Sequence, residues 1–438
     1  MKRSTLLAGL SLILGGSMTL AADPGLKTGD HVAIIGDSIT EQKQYSVMME
    51  EYLLACQPAK DLQTMQFGWG GETAGGFKRR MENDCLRFHP AVATTCYGMN
   101  DGHYAPQTPA NAKSYDENQT AVVEGLKKGG VRFIVVGSPG CVDSYTFGHD
   151  KKDASDKLSE KAEMYNKTLA SERDIAKKVA GEQSVVFADV FDPMVAAMDK
   201  SKAKYGNKYE FVGGGVHPGP NGHLVMAYAF LKALGCDGNI GTISVDLAAN
   251  KATATAGHTV LSDKNGVVEI ESARYPFCFP AKKGAKLDDQ NNLRGILPFV
   301  PFNQDLNRLT LIVTGASGAK VKVTWGDESK EFEAAELAKG INLAAEFLDN
   351  PFVAPFEKVH AAVVKQQAFE TPMIKTTING IAFPKKPKAG QVAAPVTAAP
   401  QDSQKIVEAA TAQDKELSEA SVKSVEPVKH TIKIEVVK

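Results

Sequence analysis

At 438 residues the chain is too long for one ordinary domain, and 43% hydrophobic residues supply enough apolar material for more than one core. Its 50 Lys and Arg nearly cancel 51 Asp and Glu, leaving a formal net charge of −1. That balance excludes the basic excess by which nucleic-acid binders and partners of acidic membranes hold their ligands.

The chain begins with Lys2 and Arg3, then a mostly apolar run from Leu6 to Leu14, then small residues through Thr19, Ala21 and Ala22. This order predicts a signal peptide over 1–22 and export to the periplasm or the medium. The apolar run is too short to span a bilayer, so no stable membrane insertion is expected. No cysteine stands at the cut, which argues against a lipoprotein.

From 23 to 243, β-branched runs alternate with helical spacing. Strands are expected over 31–35, 62–67, 91–97, 131–136 and 184–188, and helices over 45–56, 77–88, 110–128, 156–179 and 224–234. Five strands separated by helices predict a three-layer α/β/α domain on a five-stranded parallel sheet, with its site at the carboxyl ends of the strands. From 244 to 382 the texture turns β-rich, with strands expected over 259–261, 267–270, 309–313 and 320–325 and helical pieces over 333–339 and 356–367. Residues 383–403, rich in Pro, Ala and Lys, read as a linker. Residues 404–438 read as a polar, flexible tail: a polar helix over 404–420, then an alternating stretch that is either one added strand or disordered.

Six cysteines, Cys56, Cys85, Cys96, Cys141, Cys236 and Cys278, include no Cys-x-x-Cys pair, so no zinc site is indicated. Export makes disulfides possible, and no pairing is legible; Cys96, in an apolar run, reads as a buried thiol.

Four short blocks fall at the ends of expected strands one, two, three and five. Gly36-Asp37-Ser38 puts a hydroxyl at the mouth of the sheet. Gly68-Trp69-Gly70-Gly71 frees backbone N–H groups to face a ligand. Gly98-Met99-Asn100-Asp101 offers a side-chain amide to a developing oxyanion. Val216-His217-Pro218 supplies an imidazole. Each has an ordinary alternative: a helix cap, a tight turn, an Asx turn, a structural histidine. Asp37 and Asp101 read as turn acceptors, and His223 is given no role. Trp69, His103 and Tyr104 are candidates for pocket walls. Trp325 reads as core, and His258, His360 and His430 make no spaced metal set.

Together the blocks resemble the SGNH (GDSL-type) hydrolase family, over roughly the first half of the mature chain. The resemblance implies the flavodoxin-like fold of that family. It implies Ser38 as nucleophile and His217 as general base, with the oxyanion held by the Ser38 N–H, the Gly71 N–H and the Asn100 amide. It implies cleavage of a small ester or an acylated carbohydrate through an acyl-enzyme, with no metal or organic cofactor.

One position departs from the family pattern. Where the family has Asp three residues before the histidine, this chain has Gly214. Three readings follow: an enzyme working as a Ser-His dyad or with an acid from elsewhere, of which Glu210, Asp192 and Asp189 are nearest in sequence; a relative that has lost catalysis and binds a glycan or envelope partner; or an Asp→Gly change that is artificial. Oligomeric state is not legible.

Overall fold

The computed structural model describes residues 25–149, 157–384 and 400–437. The expected signal peptide and most of the expected linker lie outside them.

Five strands, β1 (His31–Gly36), β2 (Gln63–Gln66), β3 (Val92–Cys96), β4 (Phe133–Gly137) and β5 (Val186–Ala188), form a parallel sheet in the order β2-β1-β3-β4-β5. Their residues alternate between two cores. Val32 and Ile34 of β1 pack in the core shared with Tyr52 and Phe230, and Ala33 and Ile35 pack in the core of Phe77 and Val122. Burial on both faces is why β1 and β4 are continuous apolar runs rather than polar-apolar alternations. The order reverses between β1 and β3, which opens a crevice at their carboxyl ends.

Helices α1 (Ser38–Glu41), α2 (Tyr45–Ala55), α3 (Ala74–Asp84), α4 (Pro109–Lys128), α5 (Glu160–Glu182), α6 (Phe191–Tyr205) and α7 (Pro220–Ala233) complete this domain. Thr73, Thr108 and Ser159 cap α3, α4 and α5 through side-chain oxygens that accept from Gly76, Asn111 and Ala162 N–H groups. The Thr73 cap starts α3 three residues before the apolar pattern does. Between α6 and α7 lies a ribbon of two short strands, β6 (Val212–Gly213) and β7 (His217–Pro218).

The β-rich region holds two sheets. The first, β15-β12-β8-β9, contains β8 (Asn239–Asp246), β9 (Lys251–Ala254), β12 (Arg308–Thr314) and β15 (Ile341–Asn342). The second, β10-β11-β16-β13-β14, contains β10 (His258–Lys264), β11 (Val267–Ser272), β13 (Lys320–Trp325), β14 (Glu328–Glu333) and β16 (Val428–Val436). Short helices α8 (Phe302–Asp305), α9 (Ala334–Leu337) and α10 (Leu343–Glu346) lie among them. Long α11 (Val353–Pro372) runs through a widened π-helical turn, Met373–Ile378, into α12 (Asn379–Ala382), and α13 (Pro400–Lys423) precedes β16.

Of the readings of 404–438, the polar helix lies within α13 and the alternating stretch is the added strand, β16; only the reading of a flexible tail is corrected. β16 is the middle strand of its sheet, bonded to β11 on one side and β13 on the other. Its alternation is that of a half-buried strand: Ile432 and Ile434 are buried and their neighbours exposed. A buried chain of hydrogen bonds holds it. Trp325 Nε1 donates to His430 Nδ1 at 3.1 Å. Because indole is donor-only, the direction of every further bond is set. His430 Nε2 donates to Ser272 Oγ (2.9 Å), Ser272 to His258 Nδ1 (2.7 Å), and His258 Nε2 to the Ile240 carbonyl (3.0 Å). Both imidazoles are thereby neutral, and Trp325 is core.

Expected boundaries at 243 and 382 are crossed by contacts. β2 is an edge of the parallel sheet, with backbone groups that pair to no further strand. α11 covers that edge: Gln366 donates to the Thr64 carbonyl at 3.0 Å, and Glu370 accepts from the Gln66 N–H at 2.8 Å. Gln367 accepts from Ser46 and donates to Glu50, both on α2. Tyr52 of α2 donates to the Leu306 carbonyl at 2.8 Å and packs on Phe277 and Phe302, so one core runs from the α/β domain into the β-rich region.

All six cysteines are free and buried. Among the described residues no helix is long and apolar enough to cross a membrane.

Candidate active site

β1 delivers Asp37 and Ser38 to the crevice. Asp37 caps α1, its Oδ1 accepting from the Ile39 N–H at 2.9 Å. Ser38 is the first residue of that helix, so its own N–H is not used by the helix ladder. Burial pushes the Asp37 carboxyl up to about 7, and the neighbouring Asp101 and Glu72 carboxylates add to the rise. Asp37 builds the turn, as the sequence suggested.

The β2–α3 turn carries Trp69 to Thr73. The Gly70 N–H is taken by Glu41, and Glu72 N–H by the Trp69 carbonyl. Gly71 stands exposed between them, with its N–H given to no protein acceptor among the described residues. Glu72 turns inward and pairs with Arg80 at 2.6 Å.

Asn100 follows β3. Its Nδ2 donates to the Glu72 carbonyl at 3.0 Å and, more weakly, to Asp37 Oδ2 at 3.3 Å. Asp101 ties this loop to the preceding one, accepting from the Ala74 and Gly98 N–H groups at 3.1 Å each. Burial raises the Asp101 carboxyl to about 6. Tyr104 donates to Asn100 Oδ1 at 3.2 Å and is 43% exposed at the crevice. His103 and Tyr104 both have positive φ, +53° and +56°, a conformation that costs each side chain on the order of 1 kcal/mol. A ring stack holds the strained turn: Tyr104 lies 5.0 Å from Tyr165, and Tyr165 5.8 Å from Phe147.

His217 Nε2 lies 3.0 Å from Ser38 Oγ. The imidazole is half-buried, and desolvation holds its pKa below the usual histidine value. It rides on β7, whose partner strand returns through Gly214 and Gly215. Gly214 sits exposed at φ +62°, and a Cβ there would meet nothing within 4 Å. Gly215, at φ +86°, packs so close to Phe147 that a Cβ would come within 2.6 Å of its Cα.

This ribbon is clamped from beneath. The Asp143 N–H donates to the Gly215 carbonyl at 3.0 Å. The fully buried Asp143 carboxylate faces Lys202 Nζ at 2.9 Å, and Lys202 donates in turn to the Asn207 and Tyr209 carbonyls. The clamp joins the β4–α5 loop, α6 and the segment that leads into β6. Nothing in the spacing of Asp143 and Lys202 announced it.

No carboxylate bonds to the His217 ring among the described residues. Asp192 and Asp189 face Arg173, at 2.5 and 3.7 Å, and Glu210 accepts from Gln290 at 3.4 Å. Of the open readings of Gly214, the one with a substitute acid from these three lacks geometric support. His223 is buried in α7, donates to Gln42 Oε1 at 3.0 Å and is held neutral by burial, with a pKa of about 3. No group of three or more His, Cys, Asp or Glu among the described residues is placed to hold a metal ion.

Ser38 and His217 thus meet at the switch point of a 2-1-3-4-5 parallel sheet. Sequence comparison finds that residues 34–225 match the GDSL-like lipase/acylhydrolase family. Among solved structures, a gut microbial diltiazem-metabolizing enzyme is 21% identical, with a TM-score of 0.71 over 94% of this chain and 99% of its own. At that identity the likeness is one of fold, and it extends well beyond the family-matched domain. An acetylxylan esterase from Geobacillus stearothermophilus, in a catalytic-mutant form, is 21% identical over 48% of this chain and 96% of its own, with a TM-score of 0.39. An alpha/beta hydrolase from the metagenome of Lake Arreo, Spain, also at 21%, covers 48% and 97%, with a TM-score of 0.38. No curated protein gives a significant sequence match.

Proposed function

We propose that this chain is an exported serine esterase that hydrolyses an acyl ester through an acyl-enzyme on Ser38. The observation that carries the reading is the 3.0 Å contact between His217 Nε2 and Ser38 Oγ. A burial-lowered pKa keeps His217 neutral at pH 7, the form a general base needs. Ser38 Oγ attacks the ester carbonyl as its proton passes to His217 Nε2. The developing oxyanion takes hydrogen bonds from the Ser38 and Gly71 N–H groups and from Asn100, whose longer bond to Asp37 is the one exchanged. His217 returns the proton to the departing alcohol. Water, deprotonated by the same imidazole, then releases the acid. Ser38 and His217 work as a dyad, since Gly214 supplies no carboxylate. Acetyl esters are the substrate class proposed, acetyl groups on carbohydrate being one form an exported member could meet, and the N-terminal pattern over 1–22 supports export.

The test is hydrolysis of short-chain activated esters by wild type and Ser38→Ala. Wild-type turnover that disappears in the variant is expected; equal inertness of both over a broad ester panel would overturn the reading. A second reading, an SGNH-fold protein that binds glycan or an envelope partner without catalysis, is favoured by the missing acid alone. It predicts polysaccharide affinity that Ser38→Ala leaves intact.

A further inference from the structure

A cavity of about 490 Å³ is lined in part by Gly71 and its neighbours on the β2–α3 turn. One side is Trp69, Gly71, Thr73 and Arg79 of the α/β domain; the other is Asn379 and Phe383, from the segment that follows the β-rich region. That segment is fastened in place: Asn379 donates to Asp84 at 2.8 Å, and Lys375 pairs with Glu41. Phe383, 51% exposed, is spent on no core and faces the cavity.

The charges are arranged unevenly. Arg80 is balanced by Glu72 and Asp84, and Lys375 by Glu41. Arg79 is exposed and, among the described residues, pairs with no carboxylate; its guanidinium donates to the Gly75 carbonyl at 2.8 Å. Arg80 and Lys375 each lie 4.8 Å from the Trp69 ring centroid. Two aromatic side chains and one guanidinium without a carboxylate partner complement an aromatic ring bearing an anionic group. The volume is that of a small-molecule subsite.

We propose that this cavity is a subsite for the ring-bearing half of the substrate, completed by residues 373–383, and that it selects aryl esters carrying a carboxylate. The proposal rests on the ester-hydrolase reading above. Arg79 meets the carboxylate, and Phe383 with Trp69 flanks the ring, leaving the ester carbonyl at Gly71.

Two measurements test it on the full chain. The first compares kcat/KM for 4-carboxyphenyl acetate, phenyl acetate and methyl acetate. Arg79→Ala is expected to lower the 4-carboxyphenyl-to-phenyl ratio roughly tenfold, the loss of one charge-assisted hydrogen bond. Phe383→Ala is expected to lower the phenyl-to-methyl ratio several-fold. Unchanged ratios in both variants overturn the proposal. The second reads binding without turnover. Trp69 is one of only two tryptophans, and the other, Trp325, is fully buried. Titrating 4-carboxyphenyl acetate into Ser38→Ala is expected to quench tryptophan fluorescence, with the response abolished by Trp69→Phe and weakened by Arg79→Ala. Quenching by an otherwise inert wild type would uphold the subsite and bring down the esterase reading. Absence of quenching, or quenching that survives Trp69→Phe, overturns the subsite whatever the activity.

Discussion

His217 Nε2 touches Ser38 Oγ at 3.0 Å, while the ribbon that carries the imidazole turns at Gly214, where no side chain reaches toward the ring's other nitrogen. The proposed base is in place, and Gly214 stands where related triads carry the group that fixes its tautomer. In a serine protease, replacing that Asp with Asn lowers turnover about 10⁴-fold, partly by enforcing the wrong tautomer. A glycine presents no misleading donor, so the penalty here is expected to be smaller.

Restoring the acid is therefore expected to raise kcat. Gly214 has the left-handed φ that Asp tolerates better than most residues, and open space around its missing Cβ. Gly214→Asp should fold and should raise kcat on 4-nitrophenyl acetate by about 10- to 1000-fold, a fraction of the triad effect. No gain in an active enzyme would mean that the dyad already has all the orientation it needs.

The pH profile carries the same information. The base must be neutral, and burial lowers the His217 pKa below its ordinary value. The acid limb of kcat/KM should therefore fall below pH 6.5, with activity lost as pH drops through the lowered pKa. Gly214→Asp should move that limb upward, because a nearby carboxylate favours the imidazolium. A profile from pH 4 to 9 on both proteins checks the direction.

Asp143 and Lys202 are expected to support the site without touching substrate. Both are buried, so removing one leaves an unpaired charge beneath the histidine ribbon. Asp143→Asn or Lys202→Met should cost about 3–5 kcal/mol in urea unfolding. In the folded fraction kcat should fall more than KM rises. The double replacement Asp143→Leu with Lys202→Met should cost less than either single change, since no charge is then stranded.

Acid should loosen the β-rich region. His430 is held neutral by burial and by the nearby His258, with a pKa of about 4 against an unfolded value of 6.5. The unfolded chain binds the proton first, so this contribution is fully present above pH 6.5 and is lost as pH falls toward 4. It amounts to a few kcal/mol, taking 1.36 kcal/mol per pKa unit. Unfolding free energy measured at steps from pH 7 to 4.5 should show this slope, and His430→Gln should flatten it.

The parallel sheet was legible because β1 and β4, buried on both faces, are written as apolar runs rich in Val and Ile, with helical spacing between the strands. The four site blocks were legible because the topology needs small or polar residues where strands end at the crevice. Other features were hidden for physical reasons. β14, Glu-Ser-Lys-Glu-Phe-Glu, buries only Phe332 and so reads as surface; the sequence suggested helix from 333 onward. The second half of α11 and the middle of α13 bury polar side chains: Gln366, Gln367, Glu370, Asp414 and Ser421. On α11 these side chains serve the backbone of β2 and the side chains of α2, a role that hydropathy cannot distinguish from solvent exposure. The Asp143–Lys202 clamp joins residues far apart in sequence that show no motif.

The most direct test of Ser38 as an activated nucleophile is covalent labelling by a fluorophosphonate probe, read by mass spectrometry of the peptide that carries it. The account predicts one adduct, on Ser38, that His217→Ala slows strongly and Ser38→Ala abolishes. Wild-type protein that hydrolyses esters yet takes no adduct at Ser38, or takes it elsewhere, would contradict the account.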